Sequence, residues 1–180
     1  MIIAKKLKKT NISEYLIYMF QIEDLIRSNS CDFDKLNQNL LTKYKQPENV
    51  LSEIKKWYKA LCRMMNEEKL QNSGHLQFVV NQIKELTDFH FRLIELSEDE
   101  NYIKLFKIAA PDIQQLRNKI PSKPSSDIEV LLYALYSLMI LRLKKTAITA
   151  QTLEAMTNFS NLLAYLSAKY KNFEAGEIEI

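Results

Sequence analysis

Glycine is nearly absent from this chain of 180 residues, which contains only Gly74 and Gly176. A typical sequence has about seven per cent glycine, because the backbone needs this residue wherever it adopts a positive φ or lies flat against a phosphate group. The chain has no P-loop, no GxGxxG turn and no GxSxG nucleophile elbow. The scarcity therefore predicts long amphipathic segments joined by short polar breaks, and it indicates no particular chemistry.

The length and the 47% of hydrophobic residues are sufficient for one sizeable core, so we expect a single domain over residues 1–180. Four lysines and no acidic residue lie in residues 1–10, whereas the remainder has 21 basic and 22 acidic side chains. Only five of the 25 basic residues are arginine, so nucleic-acid binding is not expected. The basic segment is interpreted as a solvated tail; contact with an acidic partner or a membrane surface is the alternative.

The two ends of the chain show short strand-like alternation. The sequence begins with MetIleIleAla and ends with GluIleGluIle, and residues 172–180 form an acidic tail. Such alternation is typical of β-strands. We therefore expect that the two termini can pair as a small ribbon.

The cysteines and the apolar runs indicate a reduced, cytoplasmic protein without a membrane span. Cys31 and Cys62 show neither a CxxC motif nor metal-ligand spacing. No apolar stretch of signal-peptide length precedes the N-terminal lysines. The longest apolar run, Val130 to Leu141, is shorter than the roughly 20 residues that a membrane-spanning helix needs.

Capping residues and apolar periodicity predict an all-α, single-domain antiparallel bundle of six or seven helices. Asn11, Asp32 or Asp34, Ser126 and Thr149 are the expected N-caps. Pro111 is expected to kink or break one helix. The helices are expected at about residues 11–28, 32–44, 47–74, from 75 onward, 101–119, 126–145 and from 149 onward, with the clearest loop at 119–126.

Two features suggest contact with another helix or another copy of the chain. Small residues recur at helical spacing on the last predicted helix, at Thr157, Ser160, Ala164 and Ser167. The predicted helices 11–28 and 126–145 are apolar around most of their circumference, which is typical of central helices or of interfaces. A homodimer through one of these helices is therefore a hypothesis of the sequence.

Four ionisable residues fall on apolar helix faces: Glu23, Arg27, His90 and Arg142. A charge buried without a partner is costly, so these groups must pair, reach solvent or meet a ligand. The favoured interpretation is an internal network that fixes helix register. The alternative is a polar pocket between helices that binds a small anionic ligand through the two arginines.

Catalysis and metal binding find little support in the sequence. Neither His75 nor His90 follows a glutamate at the GluxxHis spacing of di-iron bundles, so no metal site is predicted, and no cofactor is expected. A nucleophile pair of Cys62 with one of the histidines is possible in principle. A buried cysteine, however, is ordinarily small apolar filler, and a histidine after Gly74 ordinarily serves a turn or cap.

Several segments resemble a bacterial all-helical family of uncharacterised proteins. These are the opening IleIleAla, residues 11–27, GlyHisLeuGln at 74–77, LeuLeuTyrAlaLeuTyr at 131–136 and the GlyGluIleGluIle end. The resemblance covers nearly the whole chain and implies a single helical, cytoplasmic domain. It implies no activity, cofactor or catalytic residue.

The sequence therefore favours a non-enzymatic interaction or structural protein capable of self-association. In this interpretation the inward polar residues are structural. The alternative is a helical domain that binds a small anionic molecule, or acts on one, through a polar pocket.

Overall fold

The computed structural model describes residues 2–97, 99–120 and 123–179, and the regular secondary structure of these residues is entirely helical. A short 3-10 helix, Leu41–Lys43, accompanies the α-helices. Within the described ranges, none of the helices combines the length and the apolar character needed to cross a membrane. The described residues form eight α-helices: α1 (Ile2–Thr10), α2 (Ile12–Ser28), α3 (Phe33–Asn39), α4 (Glu48–Glu67), α5 (Gln77–Glu95), α6 (Glu100–Arg117), α7 (Asp127–Leu143) and α8 (Ala150–Glu174).

The additional helix, α1, corrects the prediction of six or seven helices and of a strand at the N-terminus. Residues 2–10 are helical, and no strand occurs in the part of the chain that the structure describes. Ala4 is buried and Leu7 half-buried, so these two residues form an apolar side at helical spacing. Lysine has a good helix propensity, which allows the remaining positions to face solvent within the helix.

The contacts divide the chain into two compact units, the first comprising the residues up to Lys6 and Tyr18–Asn81. In this unit α3 packs against α4 and the 3-10 helix. The buried side chains include Ile26, Tyr58 and Met65. The segment 68–76 connects α4 to α5 and contains Gly74.

The second unit comprises Leu7–Ile17 and the described residues from Gln82 onward. Three helices pack against one another in this unit: α6 against α8, α7 against α8, and α6 against α7. The buried side chains include Tyr102, Leu131 and Phe159. Helix α6 continues through Pro111, so the predicted break is absent.

The predicted N-caps are present where the sequence indicated them. Asn11 accepts the N–H of Glu14, Asp32 accepts those of Asp34 and Lys35, and Thr149 accepts that of Thr152. Ser126 accepts the N–H of Glu129, whose carboxylate binds Ser125 rather than the N-cap residue. Each cap satisfies N–H groups that have no partner within the helix. Of the predicted loop 119–126, Pro121 and Ser122 lie outside the described residues.

The scarcity of glycine is visible where helices end. Gly176 (φ 71°) follows α8, but lysine takes the equivalent left-handed position after α4 and α7, at Lys69 (φ 58°) and Lys145 (φ 54°). Beyond each of these residues, a backbone N–H returns to a carbonyl in the last turn, as Thr146 does to Leu141. These are Schellman-type ends, which usually use glycine.

Candidate functional site

Glu23 and Arg27, two of the four residues predicted to point inward, bind the connection between α4 and α5. Both belong to α2, and their partners lie in the segment 68–76 of the same unit. The two side chains bind different groups of this segment instead of forming an ion pair with each other. They therefore fix an irregular segment to a helix.

Glu23 is fully buried and is bound through both carboxylate oxygens. The backbone N–H of Leu76 donates to one oxygen at 2.8 Å, and Nδ1 of His75 lies 2.5 Å from the other. The His75 ring stacks on Phe20 with 4.1 Å between centroids, and the side chain is 33% exposed. These partners replace the water that a buried carboxylate has lost.

Arg27 donates to two backbone carbonyls of the same segment. Its Nε atom donates to Leu70 O at 3.0 Å, and one terminal nitrogen donates to Gly74 O. The other terminal nitrogen lies 2.6 Å from a carboxylate oxygen of Asp24. Gly74 has a φ of 91°, and a Cβ atom there would lie 3.0 Å from the Leu70 side chain. The segment thus depends on glycine as well as on Arg27.

His90 lies in an aromatic cage in the second unit. Its Nδ1 atom is 2.5 Å from the Tyr102 hydroxyl, and the rings of Phe91, Tyr102 and Phe106 surround it at centroid distances of 5.0–5.7 Å. The Nε2 atom is buried and has no hydrogen-bond partner among the described residues. Burial lowers the pKa of His90 to about 4, although the negative charge of Asp127 acts to raise it. The imidazole is therefore neutral at pH 7.

A second polar group in this unit is centred on Asp99, which the sequence did not single out. Its carboxylate caps α6 through the N–H of Tyr102, accepts the Tyr165 hydroxyl and lies 2.8 Å from Nζ of Lys169. Burial alone would raise the pKa of Asp99, but these hydrogen bonds and the charge of Lys169 together lower it. The cap position could have been read from the sequence, whereas the two partners on α8 could not.

Arg142 is one of the residues that line an open groove between the second half of α7 and the first half of α8. The side chain is exposed, and it forms no ion pair with another described residue. The cavity measures about 600 Å³. Its lining is apolar apart from one cation and three neutral polar side chains: Leu135, Leu138, Met139, Arg142, Leu153, Met156, Thr157, Ser160 and Asn161.

The predicted stripe of small residues on α8 has two different environments. Thr157 and Ser160 line this groove, and Ala164 is exposed. Ser167 is buried, and its hydroxyl lies 2.7 Å from that of Ser13. The close approach of another helix that the stripe predicted therefore occurs at Ser167, on the N-terminal part of α2.

The four predicted residues have separate sets of partners. Glu23 and Arg27 share one segment of the first unit. In the second unit, His90 contacts Tyr102 of α6, whereas Arg142 faces the start of α8. The sequence signal, a charged or titratable group on an apolar face, identified residues with structural partners and one residue beside a cavity.

The side of α7 away from the groove carries a continuous row of residues that we call the outer stripe. Apolar residues occur around the whole circumference of α7, yet Tyr133 is 43% exposed. Ile140 is half-buried and Lys144 is exposed. At about 100° per residue these positions share one face. The outer stripe consists of Glu129, Tyr133, Tyr136, Ser137, Ile140 and Lys144.

Burial favours the protonated form of both thiols. Cys31 and Cys62 are both free and buried. Burial raises the pKa of Cys62 to about 11, with smaller contributions from Cys31 and Asp32, and burial also raises that of Cys31. Nucleophilic cysteines instead have a lowered pKa. Among the described residues, no group of three or more His, Cys, Asp or Glu side chains is arranged to hold a metal ion.

The comparison with protein families matches residues 1–177 to the family described as Domain of unknown function (DUF4924). No curated protein matches the chain, and neither does any solved structure. The predicted resemblance to a family of uncharacterised proteins over nearly the whole chain is thereby confirmed. The family description carries no activity, ligand or partner.

Proposed function

The chain belongs to this family of unknown function, and we propose that it is a non-enzymatic interaction protein that forms a homodimer through the outer stripe of α7. The observation that carries the proposal is the apolar, self-complementary character of this stripe. The inward polar residues Glu23, Arg27 and His90 have structural roles in this proposal. The raised pKa of both thiols argues against thiol catalysis.

The exposure of α7 is unusual for a helix of its composition. A helix that is apolar on all sides is normally buried on all sides. Leu131, Ala134 and Leu138 are buried, but Tyr133 and Leu141 are 43% and 36% exposed. Apolar surface of this kind, with charged residues at its ends, is typical of protein–protein contacts.

The outer stripe complements itself when a second copy runs antiparallel to it. In an antiparallel pair of identical helices, the sequence positions of any two residues that face each other add up to the same value. With a two-fold axis between Tyr136 and Ser137, Glu129 faces Lys144 of the second copy, and Tyr133 faces Ile140. Both facing pairs occur twice, as a two-fold symmetric interface requires.

The chemistry of each facing pair is favourable. Glu129 and Lys144 carry opposite charges and lie at the rim, where such pairs select the partner and its orientation. Tyr133 and Ile140 supply apolar area in the central part, and the small side chain of Ser137 permits the helices to approach closely at the axis. The Glu129 carboxylate also binds Ser125, which holds it at the start of the stripe.

The test is the mass of the protein in solution over a concentration series, measured by sedimentation equilibrium. We expect a monomer–dimer equilibrium for the wild type. Ile140→Lys places a cation opposite each Tyr133 of the dimer and should weaken association by at least about tenfold, or about 1.4 kcal/mol. Lys145→Glu, an exposed charge change next to the stripe but outside it, is the matched control and should leave the equilibrium unchanged.

A charge exchange tests the antiparallel arrangement itself. Lys144→Glu should weaken the dimer because it faces Glu129, and the double variant Glu129→Lys with Lys144→Glu should restore it. Circular dichroism confirms that each variant is helical. A monomeric wild type at every concentration, or a dimer that Ile140→Lys does not weaken, would contradict the proposal.

A further inference from the structure

The groove between α7 and α8 lies apart from the outer stripe on which the proposed dimer depends. Leu135 and Arg142 lie about 180–200° around the α7 axis from Tyr133, at about 100° per residue. The groove and the outer stripe therefore belong to opposite sides of the helix. Occupation of the groove does not depend on self-association, so the two proposals can fail separately.

The volume of the groove suits a small molecule. Its cavity of about 600 Å³ lies within the range of about 300–1,000 Å³ that is common for ligand pockets. Leu135, Leu138 and Leu153 supply aliphatic surface, and Met139 and Met156 supply unbranched side chains that adapt to the shape of an apolar ligand. The lining thus favours a hydrocarbon or ring system as one part of the ligand.

The polar side chains that line the groove indicate the chemistry of the other part of the ligand. Arg142 is the cation among the lining residues, no acidic residue lines the groove, and no described residue forms an ion pair with it. A guanidinium group binds a carboxylate through two parallel hydrogen bonds. Ser160 and Asn161 add neutral hydrogen-bonding groups to the lining. One cation with neutral partners matches a monoanion better than a multiply charged phosphate.

We propose that the groove between α7 and α8 binds an amphipathic monocarboxylate, with the carboxylate on Arg142 and the apolar part against the leucine and methionine side chains. The apolar part provides affinity through burial. The carboxylate fixes the orientation of the ligand. A ligand that lacks either part binds poorly.

Octanoate is a suitable probe, with octan-1-ol and acetate as ligands that keep only one of the two parts. Titration calorimetry on the full-length protein should give saturable binding of octanoate, whereas the alcohol and acetate bind at least about tenfold more weakly. Arg142→Gln should weaken octanoate binding by at least about tenfold and leave the alcohol unaffected. Lys145→Gln, which removes a nearby exposed cation outside the groove, should keep wild-type affinity.

Methionine-methyl NMR spectra locate the bound probe. Octanoate should shift the signals of Met139 and Met156, which line the groove, and leave the buried Met19 and Met65 unchanged. Ser160→Leu fills the groove from an exposed position and should reduce binding of both octanoate and the alcohol. The Ile140→Lys variant should bind octanoate normally, because the outer stripe is not involved.

Three results would overturn the inference. One is the absence of saturable octanoate binding to a wild-type protein whose spectrum shows that it is folded. Another is binding by Arg142→Gln as tight as that of the wild type. The third is a set of shifts confined to methionines outside the groove, which would place the ligand elsewhere and reject the proposed site.

Discussion

At the scale of single residues, the buried neutral imidazole of His90 should make stability depend on pH. Burial lowers the pKa of His90 to about 4 in the folded protein, whereas an unfolded histidine has a pKa of about 6.5. The unfolded state therefore binds more protons between these values. The contribution of His90 to the free energy of unfolding is complete above about pH 6.5 and is lost as the pH falls toward 4, by up to about 3 kcal/mol.

The variant His90→Gln tests this expectation, because glutamine can hydrogen-bond the Tyr102 hydroxyl but does not titrate. Urea titrations give the free energy of unfolding at pH 7 and at pH 4.5. The decrease in this free energy from pH 7 to pH 4.5 should be smaller in the variant than in the wild type. The variant can be less stable at pH 7, since the comparison concerns the difference between the two pH values. Equal losses in both proteins would show that His90 is not the group responsible.

The expected inward position holds for Glu23, whereas Arg142, placed inward by the same kind of pattern within one helix, is exposed. Glu23 is conspicuous because it is a carboxylate among apolar positions, and its burial follows from that pattern. Its partners His75 and Leu76 lie more than 50 residues away in an irregular segment. Periodicity carries no information about such a segment, so the sequence could indicate that Glu23 needs partners but could not identify them.

At the scale of helices, the lysines that occupy left-handed positions give a prediction about helix ends. Lys145 follows α7 with a φ of 54°, whereas Lys144 has a φ of −78°. A side chain in the left-handed region costs roughly 1–2 kcal/mol, which glycine avoids. Lys145→Gly should therefore be more stable than Lys145→Ala by about 1 kcal/mol.

The same pair of substitutions at position 144 is the control. There the backbone is right-handed, so Lys144→Ala should be more stable than Lys144→Gly. All four variants lose one positive charge at the end of α7, and the comparison of glycine with alanine at one position cancels that loss. Thermal unfolding of the four proteins measures the order, and the same order at both positions would contradict the assignment of Lys145.

The sequence located helices well where a polar cap adjoins an apolar stripe. Asp32, Ser126 and Thr149 cap the helices that they were expected to cap. It missed α1, because the two isoleucines at the start of this short segment favour a strand by propensity. Burial of Ala4 is a tertiary contact, and such contacts routinely override local propensity.

At the scale of the whole molecule, the chain is expected to unfold as a single domain although its contacts form two compact units. Helices α2 and α5 each contribute residues to both units. Unfolding of one unit alone would have to interrupt these helices and leave backbone groups without partners. Such a state is costly, so a single cooperative transition is expected.

Glu23→Ala provides a perturbation confined to one unit. Removal of this buried side chain leaves His75 and the Leu76 N–H without their hydrogen-bond partner, and we expect the free energy of unfolding to fall by about 1–3 kcal/mol. Trp57, the single tryptophan, lies in the same unit and reports its unfolding by fluorescence. Hydrogen exchange of peptides from α6, α7 and α8 reports the other unit.

If the chain is one domain, Glu23→Ala should lower the urea midpoint of unfolding. The decrease should be the same whether unfolding is followed by Trp57 fluorescence or by hydrogen exchange of α6, α7 and α8. Glu53→Ala, which removes an exposed carboxylate of the same unit, should reduce the free energy of unfolding by less than about 1 kcal/mol with either probe. A shift of the fluorescence midpoint with unchanged protection of α6–α8 would mean that the units unfold independently. The dimer and the groove would then both belong to a separately stable second unit, because α7 and α8 lie wholly within it.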